Sequence, residues 1–144
     1  MSDLPDQVRA VMQAVHNLHV LATVDAEGKP HLRWMGALVE DPEHPWTFYL
    51  ACGKNSRKMA QLAANANAQL LFTNQDTWEV ATLSGIAEAV DSRQTRQMLL
   101  EAVPQIRRYY SSADDPAMGV IKFTTRCLEM LSIATHKTEC FVFE

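Results

Sequence analysis

Apolar residues at Leu4, Val8, Val11, Met12 and Val15 fall at i, i+4, i+7, i+8 and i+11, the spacing of one helical face, and Asp3 stands where a cap would. This predicts an amphipathic helix over 4–17. The period then shortens towards two. Leu18 to Asp25 is aliphatic and β-branched, Asp25-Ala26-Glu27-Gly28-Lys29-Pro30 reads as a turn, and His31 to Val39 resumes an extended pattern, so the two runs form a hairpin. Asp41-Pro42-Glu43-His44-Pro45 breaks the chain before a third strand, Trp46 to Cys52. A helix begins at Ser56 with Met59, Leu62, Ala63 and Ala66 on one face, and Asn65 and Asn67 mark its end. Gln69 to Thr73 and Trp78 to Val90 read as strands, the second with a bulge expected at Ser84-Gly85. Asp91 with Gln94 resembles a capping box for a helix that runs to Val103, where Pro104 interrupts it. Ile106 to Tyr110 fits a further short helix, and Met118 to Thr124, Cys127 to Ile133 and Glu139 to Phe143 read as closing strands.

Short strands, three helices and no βαβ alternation indicate an α+β protein built on an antiparallel sheet. So many strands in 144 residues favour a closed or nearly closed barrel, which removes exposed edges. The chain shows no repeat, low-complexity tract or linker, so residues 1–144 are expected to form one domain.

Composition narrows the function. No segment approaches the ~20 consecutive apolar residues of a membrane-spanning helix. The start, Ser2-Asp3-Leu4-Pro5-Asp6, lacks the basic and apolar regions of a secretory signal. Cys52, Cys127 and Cys140 are odd in number and lack CxxC spacing, which suits a reduced chain without structural zinc. A cytoplasmic location is the expectation. The net charge of −4 argues against general affinity for nucleic acid or anionic membranes.

Against that acidic background, Gly53-Lys54-Asn55-Ser56-Arg57-Lys58-Met59 is a local exception. With Ser56 as N-cap, Arg57 and Lys58 occupy the first helical turn, where the macrodipole is positive and a cation costs about 0.3–1 kcal/mol. A hydroxyl, two cations and free N–H groups at a helix N-terminus can hold a phosphate. Alternatively, Arg57 and Lys58 are a solvated helix face. Arg33 shares a strand face with His31 and Met35. It either pairs with a carboxylate such as Glu79 or Glu88, or joins Ser56, Arg57 and Lys58 around one phosphate.

No catalytic set accompanies these residues. His16, His19, His31, His44 and His136 lack metal-ligand spacing, Ser84-Gly85 lacks the GxSxG frame, and neither GxGxxG nor GxxxxGK[ST] occurs. Trp34, Trp46, Trp78, Phe48 and Phe72 read as core, with Trp34 and Trp78 having the alternative of facing a planar ligand.

The strand Leu18-His19-Val20-Leu21-Ala22-Thr23-Val24-Asp25, then Gly28-Lys29-Pro30-His31-Leu32-Arg33, Trp46-Thr47-Phe48-Tyr49-Leu50, Asn55-Ser56-Arg57-Lys58 and the strand glycine Gly85 together resemble the pyridoxamine 5'-phosphate oxidase-like, FMN-binding split β-barrel family. Within it, the resemblance is to the subgroup similar to general stress proteins, over roughly residues 8–90. It implies a six- to seven-stranded antiparallel split barrel with flanking helices, and a homodimer with FMN in each of two clefts between subunits. Carried over by position, Arg33, Ser56, Arg57 and Lys58 would hold the FMN phosphate. Trp34 and Met35 would present backbone groups to the isoalloxazine ring, and Ala51 and Cys52 would line the same groove. Family members usually carry Thr or another small polar residue where Cys52 stands. Tyr109 and Tyr110 are candidates from the second subunit, with core or dimer packing as the alternative. The stretch Thr135 to Glu144 lacks the Arg-x-His element of true pyridoxamine phosphate oxidases, so vitamin B6 oxidation is not expected. The implied activity is a flavin oxidoreductase acting on a small molecule, with NAD(P)H as a candidate donor. The alternatives are a non-enzymatic flavin-binding or sensing protein, a haem protein with His136 as a ligand, and a deazaflavin or empty pocket in an interaction domain.

Overall fold

The computed structural model describes residues 3–144. Met1 and Ser2, which open the stretch read above as signal-free, lie outside the described residues. Helix α1 spans Leu4–Ala14 and is capped by Asp3, whose side chain accepts a hydrogen bond from the Asp6 N–H. Its face of Val8, Val11 and Met12 is buried, as the periodicity requires. β1 (His19–Val24) and β2 (Pro30–Met35) form the expected hairpin. The turn between them is held by Asp25 Oδ1, which accepts from the N–H groups of Glu27 and Lys29, and by Gly28 at φ +84°.

The remaining strands are β3 (Val39–Glu40), β4 (Thr47–Gly53), β5 (Asn67–Asn74), β6 (Glu79–Ala89), β7 (Met118–Ser132) and β8 (Lys137–Val142). All pair antiparallel in the order β2-β1-β5-β6-β7-β4-β3, with β8 added on β7. This is the α+β split barrel, with eight strands rather than six or seven. The extended stretch to Val39 stops at Met35, and a two-residue β3 pairs with β4 instead. Conversely, the closing segments at 118–124 and 127–133 are one continuous 15-residue strand. The expected bulge joins them: Ser84 faces Cys127 but Gly85 faces Thr125, so Arg126 is the additional residue. A Cβ on Gly85 would lie 2.0 Å from the Thr124 carbonyl oxygen, and only glycine permits that approach.

Helix α2 covers Arg57–Ala64 and α3 covers Arg93–Ala102, followed by a 3₁₀ turn at Pro104–Arg108. Two details differ from the sequence reading. Ser92, not Asp91, caps α3, accepting from the Thr95 N–H, while Asp91 pairs with Arg96. Ala66 lies beyond α2, and Asn67 already belongs to β5.

Inward residues of the strands and the α1 face make one core, in which Leu21, Leu70, Phe72, Leu83 and Phe123 are fully buried. Each such side chain contributes about 1.5–3 kcal/mol. A second core of Leu99, Leu100, Ile106, Met118 and Val120 holds α3 and the 3₁₀ turn against the barrel. The first core fixes β1, β2 and α2 relative to one another, and the second brings the 3₁₀ turn to the mouth of the same region.

Candidate functional site

Alternation along β2 leaves Leu32 and Trp34 exposed and turns Arg33 the other way. There the guanidinium meets polar groups, none of them a carboxylate. Nη1 donates to Thr23 Oγ1 at 2.7 Å and to the Leu21 carbonyl at 3.2 Å, and Nη2 donates to Gln61 Oε1 at 2.9 Å. Thr23, fully buried, donates its own hydroxyl to Gln61 Oε1 at 2.6 Å. Arg33 is thus oriented by a neutral network from β1 and α2, and its charge is left uncompensated. Burial first, and then the Arg57 charge, pull its pKa down from the ordinary arginine value. It nevertheless stays protonated, because arginine does so in proteins.

Arg57, Lys58 and Gln61 come from the first turns of α2 and line, with His31, Leu32 and Arg33, a hollow of about 400 Å³. Among the described residues, no ion pair engages Arg33, Arg57 or Lys58. Pairing of Arg33 with Glu79 or Glu88 is therefore not the arrangement found. Ser56 occupies the N-cap position of α2, but its side chain makes no capping bond, and Oγ is buried without a hydrogen-bond partner. Three cations without a carboxylate partner around one hollow fit an anion with several acceptor oxygens.

Lys58 also lines a larger groove of about 940 Å³. Trp34, Met35, Ala51 and Cys52, all anticipated from sequence, are on its wall. The Cys52 thiol is pushed up from its ordinary value by burial, against the Lys58 charge and the nearby Ser56 hydroxyl; thiol and hydroxyl do not meet in hydrogen-bond geometry. Cys52 is thus a neutral thiol at pH 7, part of an apolar wall. Seven of the eight anticipated residues line the hollow or the groove, which share Lys58, whereas Ser56, at the N-cap of α2, lines neither. A hollow lined by three cations that adjoins a largely apolar groove has the donor set for a flat group with an anionic tail.

Several site residues escaped the sequence reading. Thr23 and Gln61 carried a detectable signal. Thr23 is, with His19, a polar position on the inward face of β1, and Gln61 lies i+4 from Arg57 on α2. The groove wall had no local signal: Val103 and Ile106 are brought there by packing of the second core, and His16 and Leu18 come from the connection between α1 and β1. Tyr109 and Tyr110, considered above for a role across a subunit boundary, line the groove of their own chain. Trp46, Phe48 and Phe72 are buried, while Trp78 is exposed and outside the groove. His136 sits in the β7–β8 turn, also outside it.

No curated protein matches the chain. Among solved structures, it is similar to a protein from Clostridium acetobutylicum related to general stress protein 26, with 20% identity and a TM-score of 0.79 over 96% of this chain and 95% of that one. It is similar to a pyridoxamine 5'-phosphate oxidase-related, FMN-binding protein from Nostoc punctiforme at 11% identity, TM-score 0.74, over 100% of both chains. A haem-binding protein from Mycobacterium smegmatis shares the fold at 16% identity and TM-score 0.75, over 99% of this chain and 59% of that one. At such identities these likenesses concern the fold. The profile described as pyridoxamine 5'-phosphate oxidase matches residues 4–131, nearly the whole chain. The chain belongs to the pyridoxamine 5'-phosphate oxidase family.

Proposed function

We propose that this protein is an FMN-dependent oxidoreductase acting on a small molecule, with the flavin phosphate held by Arg33, Ser56, Arg57 and Lys58 and the ring in the adjoining groove. One observation carries this reading: Arg33, Arg57 and Lys58 line one hollow with no carboxylate among its lining residues. Their mutual repulsion and the macrodipole of α2 both disfavour the arrangement without an anion. A bound phosphate dianion reverses the sign of both effects.

FMN would supply two-electron redox chemistry, so no titratable catalytic side chain is required of the protein. The chain's own residues bind and orient. Thr23 and Gln61 hold the Arg33 guanidinium, Ser56 offers its hydroxyl, and Ala51 and Cys52 keep an apolar wall. NAD(P)H is the proposed donor, and a cytoplasmic location agrees with three free cysteines. No helix among the described residues is long and apolar enough to cross a membrane.

The unit is proposed to be a homodimer. Trp34, Val20 and Leu71 form a cross-strand row on the outer sheet face, and both Trp34 and Leu71 are exposed. Such an apolar row beside the open groove suits coverage by a second copy. Sedimentation checks it: a monomer at micromolar concentration contradicts the dimer.

The visible spectrum of the purified protein tests the cofactor. A flavin band, or its appearance after FMN is added, is expected. No band and no heat on FMN titration would sink the reading, and a Soret band would instead favour haem. Reoxidation of bound flavin by an added acceptor, with NAD(P)H as donor, separates an enzyme from a flavin carrier or sensor.

A further inference from the structure

We infer that His31 and Asp25 couple phosphate binding to the uptake of a proton: Asp25 holds one ring nitrogen of His31, and the other, once protonated, donates to the bound phosphate. This coupling rests on the phosphate reading of the hollow and adds two residues which that reading does not use. His31 lines the hollow with Arg33, Arg57, Lys58 and Gln61, on the β2 face that carries Arg33. Its Nε2 lies 2.9 Å from Asp25 Oδ2. The hairpin turn fixes Asp25 in place, because Oδ1 accepts from the Glu27 and Lys29 N–H groups, each at 2.9 Å. The His31 contact first, and then the Lys29 N–H, hold the Asp25 carboxyl below the usual aspartate pKa, so it is ionised at neutral pH. An ionised carboxylate only accepts, which makes Nε2 the protonated nitrogen. Nδ1 has no hydrogen-bond partner among the described residues.

The tautomer decides what a phosphate meets. A neutral ring fixed in this way carries a lone pair on Nδ1, to which a phosphate oxygen cannot bond. A second proton makes the ring an imidazolium with two donors, one for Asp25 and one for the phosphate. Nearby charges set when that proton is taken from solvent. Asp25 favours the imidazolium, whereas Arg33 on β2 and Arg57 and Lys58 on α2 oppose it. Lys29 and Glu27, in the hairpin turn, pair with each other at 3.1 Å. A phosphate dianion in the hollow offsets the three cations and tips the balance to the imidazolium.

Calorimetric titration of the flavin-free protein with FMN at about pH 8, in buffers that differ in ionisation enthalpy, counts the protons. An imidazole ordinarily titrates at about 6.5 and a phosphate monoester at about 6, so at that pH an ordinary ring starts neutral and the phosphate is already a dianion. Uptake of about 0.5–1 proton per FMN is expected, with affinity falling about three- to tenfold from about pH 7 to about pH 8.5. Riboflavin, which lacks the phosphate, should bind without uptake. His31→Gln should abolish both the uptake and the pH slope. In Asp25→Asn the amide still accepts from both turn N–H groups but donates to Nε2, which moves the ring proton to Nδ1. That neutral ring can donate to the phosphate, so FMN affinity at about pH 8 should stay within about threefold while the uptake disappears. A purely structural Asp25 would lower affinity and leave the proton count alone. FMN binding without proton uptake overturns the inference, as does an uptake that survives either substitution. If FMN does not bind at all, the phosphate reading fails and takes this coupling with it, a result distinct from binding without uptake.

Discussion

Arg9 and Arg33 are both half-buried arginines, and their surroundings answer the same charge in opposite ways. Arg9, on α1, makes a bidentate pair with Glu40 at 2.6 and 2.8 Å, and its guanidinium lies 4.2 Å from the Trp46 ring centroid. Glu40 in turn accepts from the Trp46 N–H at 2.7 Å. Burial alone would raise the Glu40 carboxyl, but Arg9 and that N–H outweigh it and hold the pKa down. The Arg9 pKa is raised, chiefly by the Glu40 hydrogen bond. Arg33 has no acid, a pKa pulled down, and a second arginine as its nearest charged influence. One region closes its electrostatics within the chain and fastens α1 to the sheet. The other leaves them open, and it is there that the proposed function seats a phosphate.

The strongest way to break this contrast is Arg57→Ala with Lys58→Ala. Charge-assisted hydrogen bonds contribute about 1.5–3 kcal/mol each, so FMN affinity should fall by about 10²–10⁴-fold. Melting of the flavin-free protein should stay level or rise, because like charges have been removed. A fall in its melting temperature would mean that the cations serve the fold. Glu40→Ala should do the reverse. It leaves Arg9 half-buried and unpaired and strips the Trp46 N–H, costing about 2–3 kcal/mol in denaturant unfolding with FMN affinity unchanged.

A smaller effect is expected from Gln61→Leu, which frees the Arg33 fork and leaves all three cations in place. FMN affinity should drop by about three- to tenfold, as when one neutral hydrogen bond is lost, while riboflavin affinity is unaffected. Equal losses for both ligands would assign Gln61 to general packing instead. The smallest effect concerns His19, whose imidazole is fully buried beside Phe72. Its Nδ1–H donates to the Asn17 carbonyl, while Nε2 has no partner. Burial, only partly offset by that carbonyl, depresses its pKa below 6.5. Below pH 6.5 the unfolded chain therefore takes up a proton that the folded chain refuses, and stability declines as pH falls towards the folded pKa. His19→Leu should flatten that part of the stability–pH curve, whereas an unchanged slope would remove His19 from the account.

Much of this molecule can be read from local pattern. The α1 stripe, the β1–β2 hairpin and the shared face of His31, Arg33 and Met35 follow from periodicity alone, whereas which face turns inward does not: Trp34, read as core, is exposed. Position along α2 exposed the misplaced cations before any contact was known. Continuity was harder to see: Thr124-Thr125-Arg126 looks like a polar break, yet β7 runs through it because the bulge opposite Gly85 absorbs one residue. The Ser56 position was legible, but its unused hydroxyl was not, since an N-cap residue ordinarily spends its side chain on the helix. The aromatic wall was beyond local reading, for Tyr109 reaches the groove only through the packing of Leu99, Leu100 and Ile106.

The central claim is that the open cation cluster exists to hold a phosphate ester. Titration of the flavin-free protein with FMN and with riboflavin, which differ by that phosphate alone, tests it most directly. The unsubstituted protein should bind FMN at least about 100-fold more tightly than riboflavin, in keeping with two charge-assisted contacts. The Arg57→Ala, Lys58→Ala protein should bind the two within about tenfold of each other. Equal affinity for FMN and riboflavin in the unsubstituted protein would contradict the account.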